Sequence, residues 1–515
     1  MKTALAVGLF AACLIAIGCA LGLAQSFQSS DAPTIRVTSG LVFLDVTVLD
    51  KKGRPVVKGL TRDDFLITED NKPQRIFSFE APETHVVDAS AAADNPSGKA
   101  PLTIFVLDQL DSRFQTFAYI RYQVREYLAA QPARLRSPAE LMVLGNQSLE
   151  MVQGYTRNKE DLLYALDHVG HPLPYKMNNS FSGERLGQCF EALEEIALQN
   201  AGVPGKKNIV WVGYGPPNLS LTALYEGKFE DELMQDVHST TNMLVAARIS
   251  LFVVYPGIAS GRSMLTGLTA PMLADVDLGD NDPFAGDVNF GLFVNETGGK
   301  LFYNQNDIAK EITRSLEMGA EYYTLTYQPH NLDQNGRFRR IRVSLRDPQL
   351  RAISKAGYFG ENALSNPQQQ NRFRLAESVQ STIPLTALHV HLSHLVRHPD
   401  ARTADVTVEL QSKNVSLLPA DDGKGSAKFT LAAASLKKDR SILAWKTEGV
   451  TLVAATPPPY NLPEVVSRFQ LTMRLPRKTQ SLRVVLESQD AGWIGAAELD
   501  RKAIDAAPTT PAPTP

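Results

Sequence analysis

Asp108, Asp111 and Ser112 form the most promising cluster of polar ligands in this 515-residue chain. They end the stretch TIFVLDQLDSRF, residues 103–114, where an apolar run stops at the first carboxylate. Two carboxylates and a hydroxyl so close together are hard oxygen donors, the ligands that Mg²⁺ or another divalent cation takes. Other groupings raise the same question. His389, His391, His394 and His398 crowd LHVHLSHLVRH and could offer imidazoles to zinc. No cysteine or nearby carboxylate completes a set, and on a strand these histidines read as a polar outer face. Asp275, Asp277, Asp280, Asp282 and Asp287 share one stretch that does not match a helix–loop–helix calcium loop and reads as a solvated acidic loop. Asp63, Asp64, Glu69 and Asp70 would suit paired-carboxylate catalysis, but they sit among turn residues and read as solvated turn charges.

Composition narrows the function. The formal net charge is -3, so no global basic field attracts nucleic acid. The arginines of GRFRRIRVSLR alternate with Ile341, Val343 and Leu345, as on the outer face of a strand. No nucleophile elbow, no H-E-x-x-H and no phosphate-binding P-loop occurs, and the chain reads as non-enzymatic.

The N-terminus reads as an export signal. Lys2 precedes an apolar, small-residue run, and GLA ending at Ala24 fits signal peptidase cleavage, giving a segment 1–24. AIGC offers a second reading, lipidation and a membrane tether at Cys19; an uncleaved anchor is a third. The expected location is the periplasm or the cell exterior. Of three cysteines, Cys13 and Cys19 lie in this segment; Cys189 lies in a helical pattern and reads as a buried small hydrophobe.

The elements that must position Asp108 follow from periodicity. Residues 31–85 alternate as β-strands, and FLITEDNKPQRIFSF reads as a hairpin. From 101 to 318, continuous apolar strands such as LTIFVL and NIVWV alternate with amphipathic helices, and GLFVNETGGKLFY reads as strand around a glycine turn. This predicts an α/β fold, a mostly parallel sheet covered on both faces, with ligand sites beyond the carboxyl ends of its strands. A β segment, 319–360, is expected to pair with the N-terminal strands. NALSNPQQQNR reads as a linker, residues 380–500 as an antiparallel β-sandwich, and 501–515 as a disordered tail.

Taken together, FLDVTVLDKKGRPVVKGLTRDDFLITEDNKPQRIFSFE, FVLDQLDSRF, KKNIVWVGYG, NETGGKLF and EYYTLTYQPHNLDQNGRFRRIRVSLRDPQLRAISKAGYFG resemble the bacterial VWFA-related domain family, abundant in Acidobacteria and similar to von Willebrand factor type A domains. The resemblance covers about residues 35–360 and implies a Rossmann-like α/β domain flanked by β segments in an exported protein. Such domains often hold a divalent cation at a metal-ion-dependent adhesion site. The resemblance places Asp108 and Ser112 at its first Asp and second Ser. Leu110 stands where the first Ser would be, Ser180 or Ser182 would serve the second loop, and WVGYG lacks the third-loop Asp. Asp111 is an extra carboxylate that would compensate. The expected function is an adhesion-like module binding an unknown protein partner through a degenerate metal site; the alternatives are a metal-dependent envelope enzyme using Asp108 and Asp111, and a structural scaffold.

Overall fold

The computed structural model describes residues 41–85, 100–110, 112, 114–145, 148–170, 182–215, 219–220, 227–256, 287–288, 290–302, 307–331, 333, 335–360, 367–411, 415, 417–419, 425–453, 467–489 and 492–510. The export segment with Cys13 and Cys19, Asp111, Ser180, Asp275, Asp277, Asp280 and Asp282 lie outside the described residues.

The chain opens with β1 (Val42–Leu49), β2 (Phe65–Glu69), β3 (Lys72–Gln74) and β4 (Ile76–Glu80). β2 turns into β3 through Asp70 and Asn71, whose φ values of 49° and 63° make the left-handed pair of a tight hairpin. Then follow β5 (Leu102–Asp108), α1 (Phe114–Ala129), β6 (Arg134–Leu144), β7 (Leu149–Asn158), α2 (Lys159–Asp167), α3 (Ser182–Gln199), β8 (Lys207–Val212), β9 (Leu219–Ser220), α4 (Gly227–Ala246), β10 (Ile249–Val254), β11 (Asp287–Val288), α5 (Phe290–Glu296), β12 (Lys300–Phe302) and α6 (Ile308–Ala320). Apart from β9 and β11, which pair with each other, these strands form one mixed sheet in the order β12-β10-β8-β5-β6-β7. Only β7 is antiparallel, against β6.

Every residue of β5, β8 and β10 is buried, because helices cover both faces. Side chains alternate across the sheet. Ile104 and Val106 share a core with Leu193 of α3, Val237 of α4 and Phe293 of α5. Phe105 and Leu107 share another with Ile120 of α1 and Ile312 of α6. Each such side chain contributes about 1.5–3 kcal/mol by burial. Cys189 is buried in the first core.

The stretch GLFVNETGGKLFY departs from the strand read in it. Its first half is helix α5, which buries Phe293 and Val294 completely in the core with Ile104 and Val106. Thr297 Oγ1 donates to Phe293 O (2.8 Å) and accepts from Leu251 N (3.0 Å), tying the helix end to β10.

β13 (Tyr323–Tyr327), β14 (Phe338–Leu345), β15 (Arg351–Ile353) and β16 (Gly357–Phe359) return to the N-terminal strands. β13 lies between β1 and β4, and β14 lies between β2 and β16. Leu44, Val46, Phe65, Tyr323, Leu325 and Ile341 share their core. Arg248, just before β10, closes the join. Its guanidinium grips Asp45 of β1 with Nη2–Oδ1 at 2.5 Å and Nε–Oδ2 at 3.0 Å, and Nη2 also reaches Thr324 Oγ1 of β13 (3.1 Å). Burial alone would raise the Asp45 carboxyl; the Arg248 charge and hydrogen bonds outweigh it and hold the carboxyl below its ordinary value.

The C-terminal part holds α7 (Pro367–Gln380), β17 (Val390–His398), β18 (Thr403–Leu410), β19 (Leu418–Pro419), β20 (Gly425–Leu436), β21 (Ile442–Val453), β22 (Ser467–Arg474), β23 (Ser481–Ser488), β24 (Ile494–Asp500) and α8 (Arg501–Ala506). β17-β18-β22 form one antiparallel sheet; β19-β20-β23-β24, with β21 beside β20, form a second. Val406 and Val408 of the first share a core with Phe429 and Val484 of the second. Two readings are corrected here. The supposed linker becomes helix from Pro367, because Leu375 and Val379 bury against Leu198 of α3 and Val485 of β23. Residues 501–510 of the supposed disordered tail are ordered: Asp500 caps α8 by accepting from Ala503 N (2.7 Å), Ile504 is buried, and Thr509 pairs with Arg397.

Two predictions follow from buried charge. Asp45→Ala strands the Arg248 guanidinium, and denaturant titration should show a loss of about 3 kcal/mol or more; a loss below about 1 kcal/mol would deny the join this role. Glu140 of β6 is fully buried, and burial pushes its carboxyl up to about 8 against a hydrogen bond from Gln199 Nε2 (2.9 Å). Its folded value lies above its unfolded one. The stability it contributes is therefore complete below the ordinary carboxylate range and drains away as pH rises toward 8, at up to about 1.4 kcal/mol per pH unit. Glu140→Gln should unfold at a temperature that gains on wild type steadily from about pH 5 to 8; a constant difference would contradict this.

Candidate functional site

Asp108 ends β5 at the place where the sheet order reverses. The chain leaves β5 for β6 on one side and returns to β8 on the other, which opens the crevice where sheets of this kind take ligands. The loop after β5 is pinned to the end of β6: Gln109 N and Leu110 N both donate to Leu144 O at 3.0 Å. This pinning sends Leu110 inward, and it is buried in the core with Ile104 and Val106.

Asp108 itself is fully buried. Its Oδ2 accepts from the backbone N–H of Gly215 (2.8 Å) and from the indole N–H of Trp211 on β8 (3.3 Å). A buried carboxylate needs such donors. Gly213 N donates to Val254 O (3.1 Å), so the ends of β5, β8 and β10 gather around this one side chain. A Cβ on Gly213 would stand 2.2 Å from Asp108 Cβ, so only glycine fits there. The rings of Tyr214 and Tyr255 lie 6.3 Å apart beside it. Burial first, then the Asp108 charge, raises the Tyr255 phenol to about 12.

Chemically this arrangement is an internal clamp. A cation at Oδ2 would compete with the Gly215 N–H and the indole. Ser112 Oγ is buried and meets no hydrogen-bond partner among the described residues. Asp111 lies outside the described residues, as does Ser180; Ser182 begins α3, with its side chain outside the description. Leu110 and WVGYG bring no oxygen ligand of the kind the resemblance implies.

The other candidates disperse. Glu69 is not a solvated turn charge: it is buried and accepts from the phenols of Tyr327 (2.5 Å) and Tyr358 (3.1 Å). Asp64 caps a turn by accepting from Thr61 N (2.7 Å), and Asp70 accepts from Arg340 N (2.9 Å). Asp287 lies in the short β11. His391 and His394 are exposed and His389 is half-buried, while a bulge between Ser393 and Val396 brings His398 onto the outer face beside Asp405, where Thr510 covers it. Among the described residues, no group of three or more His, Cys, Asp or Glu is placed to hold a metal ion. Sequence reasoning missed the Trp211 and Gly215 donors. Their signal was the G-Y-G spacing directly after an apolar strand, a pattern for close backbone approach.

No family model matches the sequence, and no curated protein matches it. Among solved structures the chain is similar to the SpRpn10 VWA domain, with 11% identity over 32% of this chain and 90% of that one, at a TM-score of 0.16.

Gly213→Ala tests the clamp. Overpacking against Asp108 should cost about 1–3 kcal/mol in denaturant unfolding, and Gly213→Ala combined with Asp108→Gly should recover part of that cost. A neutral Gly213→Ala would show that the two chains do not approach so closely.

Proposed function

We propose that this chain is a non-catalytic protein-interaction module of the von Willebrand factor type A kind, whose metal-ion-dependent adhesion site is reduced to an internal anchor at Asp108. The carrying observation is that Asp108 is fully buried, with one carboxylate oxygen bonded to Gly215 N and Trp211 Nε1. In this reading the loops after β5, β8 and β10 meet a protein partner directly, without a bridging cation. Phe114, the first residue of α1, supports it: the ring is 63% exposed beside the Asp108 loop, the type of side chain that anchors an interface. The α/β part would be an insertion between two halves of a β-sandwich, β1–β4 and β13–β16, with the C-terminal sheets as a further surface.

Export belongs to the same proposal, resting on the N-terminal segment, with the protein in the periplasm or outside the cell and tethered where Cys19 is lipidated. No helix among the described residues is long and apolar enough to cross a membrane. A second reading keeps a divalent cation on Asp108, Asp111 and Ser112. The buried Ser112 Oγ without a described partner favours it.

Calorimetric titration of the mature protein with Mg²⁺, Mn²⁺ and Ca²⁺, beside Asp108→Asn, separates the two. The anchor reading predicts no saturable binding by either protein. Saturable binding by wild type that Asp108→Asn abolishes would establish the cation reading in its place.

A further inference from the structure

The last described residues do not simply trail off. Residues 508–510 lie parallel to the end of β17, with a bridge between Arg397 and Thr509. Arg397 N donates to Pro508 O (2.8 Å), and Thr510 N donates to Arg397 O (3.0 Å). The Arg397 guanidinium adds a hydrogen bond from Nη2 to Asp505 O (3.0 Å) and an ion pair from Nη1 to Asp505 Oδ1 (3.5 Å).

A parallel ladder would next use the N–H of residue 399 to satisfy Thr510 O. Residue 399 is proline and has none. The ring of His398 stands in for it: Nδ1 lies 3.1 Å from Thr510 O. Its Nε2 lies 2.9 Å from Asp405 Oδ2. Both partners are acceptors, so both ring nitrogens must carry hydrogen, and the ring that fits is the imidazolium. A neutral ring keeps one bond. It sets a lone pair either against the Asp405 carboxylate or against Thr510 O, where the Thr510 hydroxyl, 3.3 Å from Nδ1, is a partial substitute.

We propose that the edge of β17 at Arg397 and His398 is an acceptor for an extended peptide strand, filled in this chain by its own residues 508–510, and that the proton on His398 controls the docking. The occupant this edge reads is a segment in which one carbonyl accepts from Arg397 N, the N–H two residues on reaches Arg397 O, and the carbonyl of that second residue meets the His398 ring. Pro508-Thr509-Thr510 meets this requirement. His398, His394, Asp405, Thr407, Gln470 and Thr510 line a shallow cleft at that point.

The charged groups facing His398 fix the direction. Asp405 comes from β18. Thr472 of β22 donates to Asp405 Oδ1 (2.6 Å), and Lys446 of β21, itself paired with Glu448, donates to Thr472 O (3.3 Å). Asp505 comes from α8, and Arg397 and His394 from β17 itself. Burial would raise the Asp405 carboxyl, but hydrogen bonds from Thr472 and His398 hold it below its ordinary value. The carboxylate thus persists through the ordinary carboxylate range, and docking weakens as pH rises and His398 loses its proton.

The test uses a fluorescent synthetic peptide of residues 505–515 and a variant chain ending at Ala506, followed by anisotropy at about pH 5.5 and about pH 8. The expected result is saturable binding to the shortened chain, about tenfold tighter at the lower pH, no binding to the full chain, and loss of the pH dependence in His398→Gln. No binding to a shortened chain that unfolds cooperatively, equal binding to the full chain, or an unchanged pH dependence in His398→Gln would overturn the proposal. Hydrogen exchange of the full chain gives a second reading that needs no truncation. Corrected for intrinsic rates, protection of the Thr510 amide should fall about tenfold from about pH 5.5 to about pH 8; constant protection would overturn the proposal.

Discussion

A carboxylate with no solvent contact must be hydrogen-bonded, and meeting that need at Asp108 arranges the end of the central sheet. One oxygen draws in the amide of Gly215 and the indole of Trp211, from the strand that lies beside β5 but follows it by about a hundred residues. To come so close, the chain after β8 must be glycine where it crosses Asp108 Cβ. To bring Gly213 there, β8 must be paired to β5 in its present register, which leaves Gly213 N to bond the end of β10. The loop after β5 is held on its other side by Leu144 and cannot swing Leu110 out of the core. The ends of β5, β6, β8 and β10 are therefore tied together around this one carboxylate.

At the opposite ends of the same strands, a part-buried ion pair holds the α/β part to the β strands that flank it. Asp45 and Thr324 are 279 positions apart in sequence yet share one hydrogen bond, and Arg248 touches both. The surroundings are rich in cations. Lys206 and Lys207 are buried nearby, and burial brings their amines down to about 8 and about 7. Lys207 Nζ is used by backbone carbonyls, donating to Val203 O (2.6 Å) and Gly205 O (2.9 Å). Asp45 is thus the carboxylate that compensates the Arg248 charge most directly, and the bidentate fork suits arginine rather than lysine.

Much of this was legible in the sequence, and the limits are physical. β5 and β8 were readable because a strand buried on both faces must be continuously apolar. The carboxylate after β5 was readable as a site for the same reason: a charge at the end of such a run needs partners. Which partners it finds is not legible at position 108 itself, because the backbone amide and the indole are contributed across the sheet, and the sequence marks that approach only indirectly, through the glycines of WVGYG. Helix α5 was misread as strand because seven residues with two aromatics fit either period. The order of residues 501–510 was missed because Pro and Thr composition argues for disorder, while the ordering comes from one buried isoleucine, an aspartate cap and an edge strand far back in the chain. Glu69 looked like a turn charge because its two tyrosine donors stand about 260 and 290 positions later.

The most direct measurement is the nitrogen–proton spectrum of the indole groups, of which the chain has three, with the Trp211 signal assigned by Trp211→Phe. If Asp108 is an internal anchor, the Trp211 indole proton exchanges slowly with solvent, its signal stays in place as Mg²⁺ is added, and Asp108→Asn shifts it. A Trp211 signal that exchanges freely, or that moves saturably with Mg²⁺, would mean that the carboxylate serves a cation, contradicting the anchor on which the interaction reading stands.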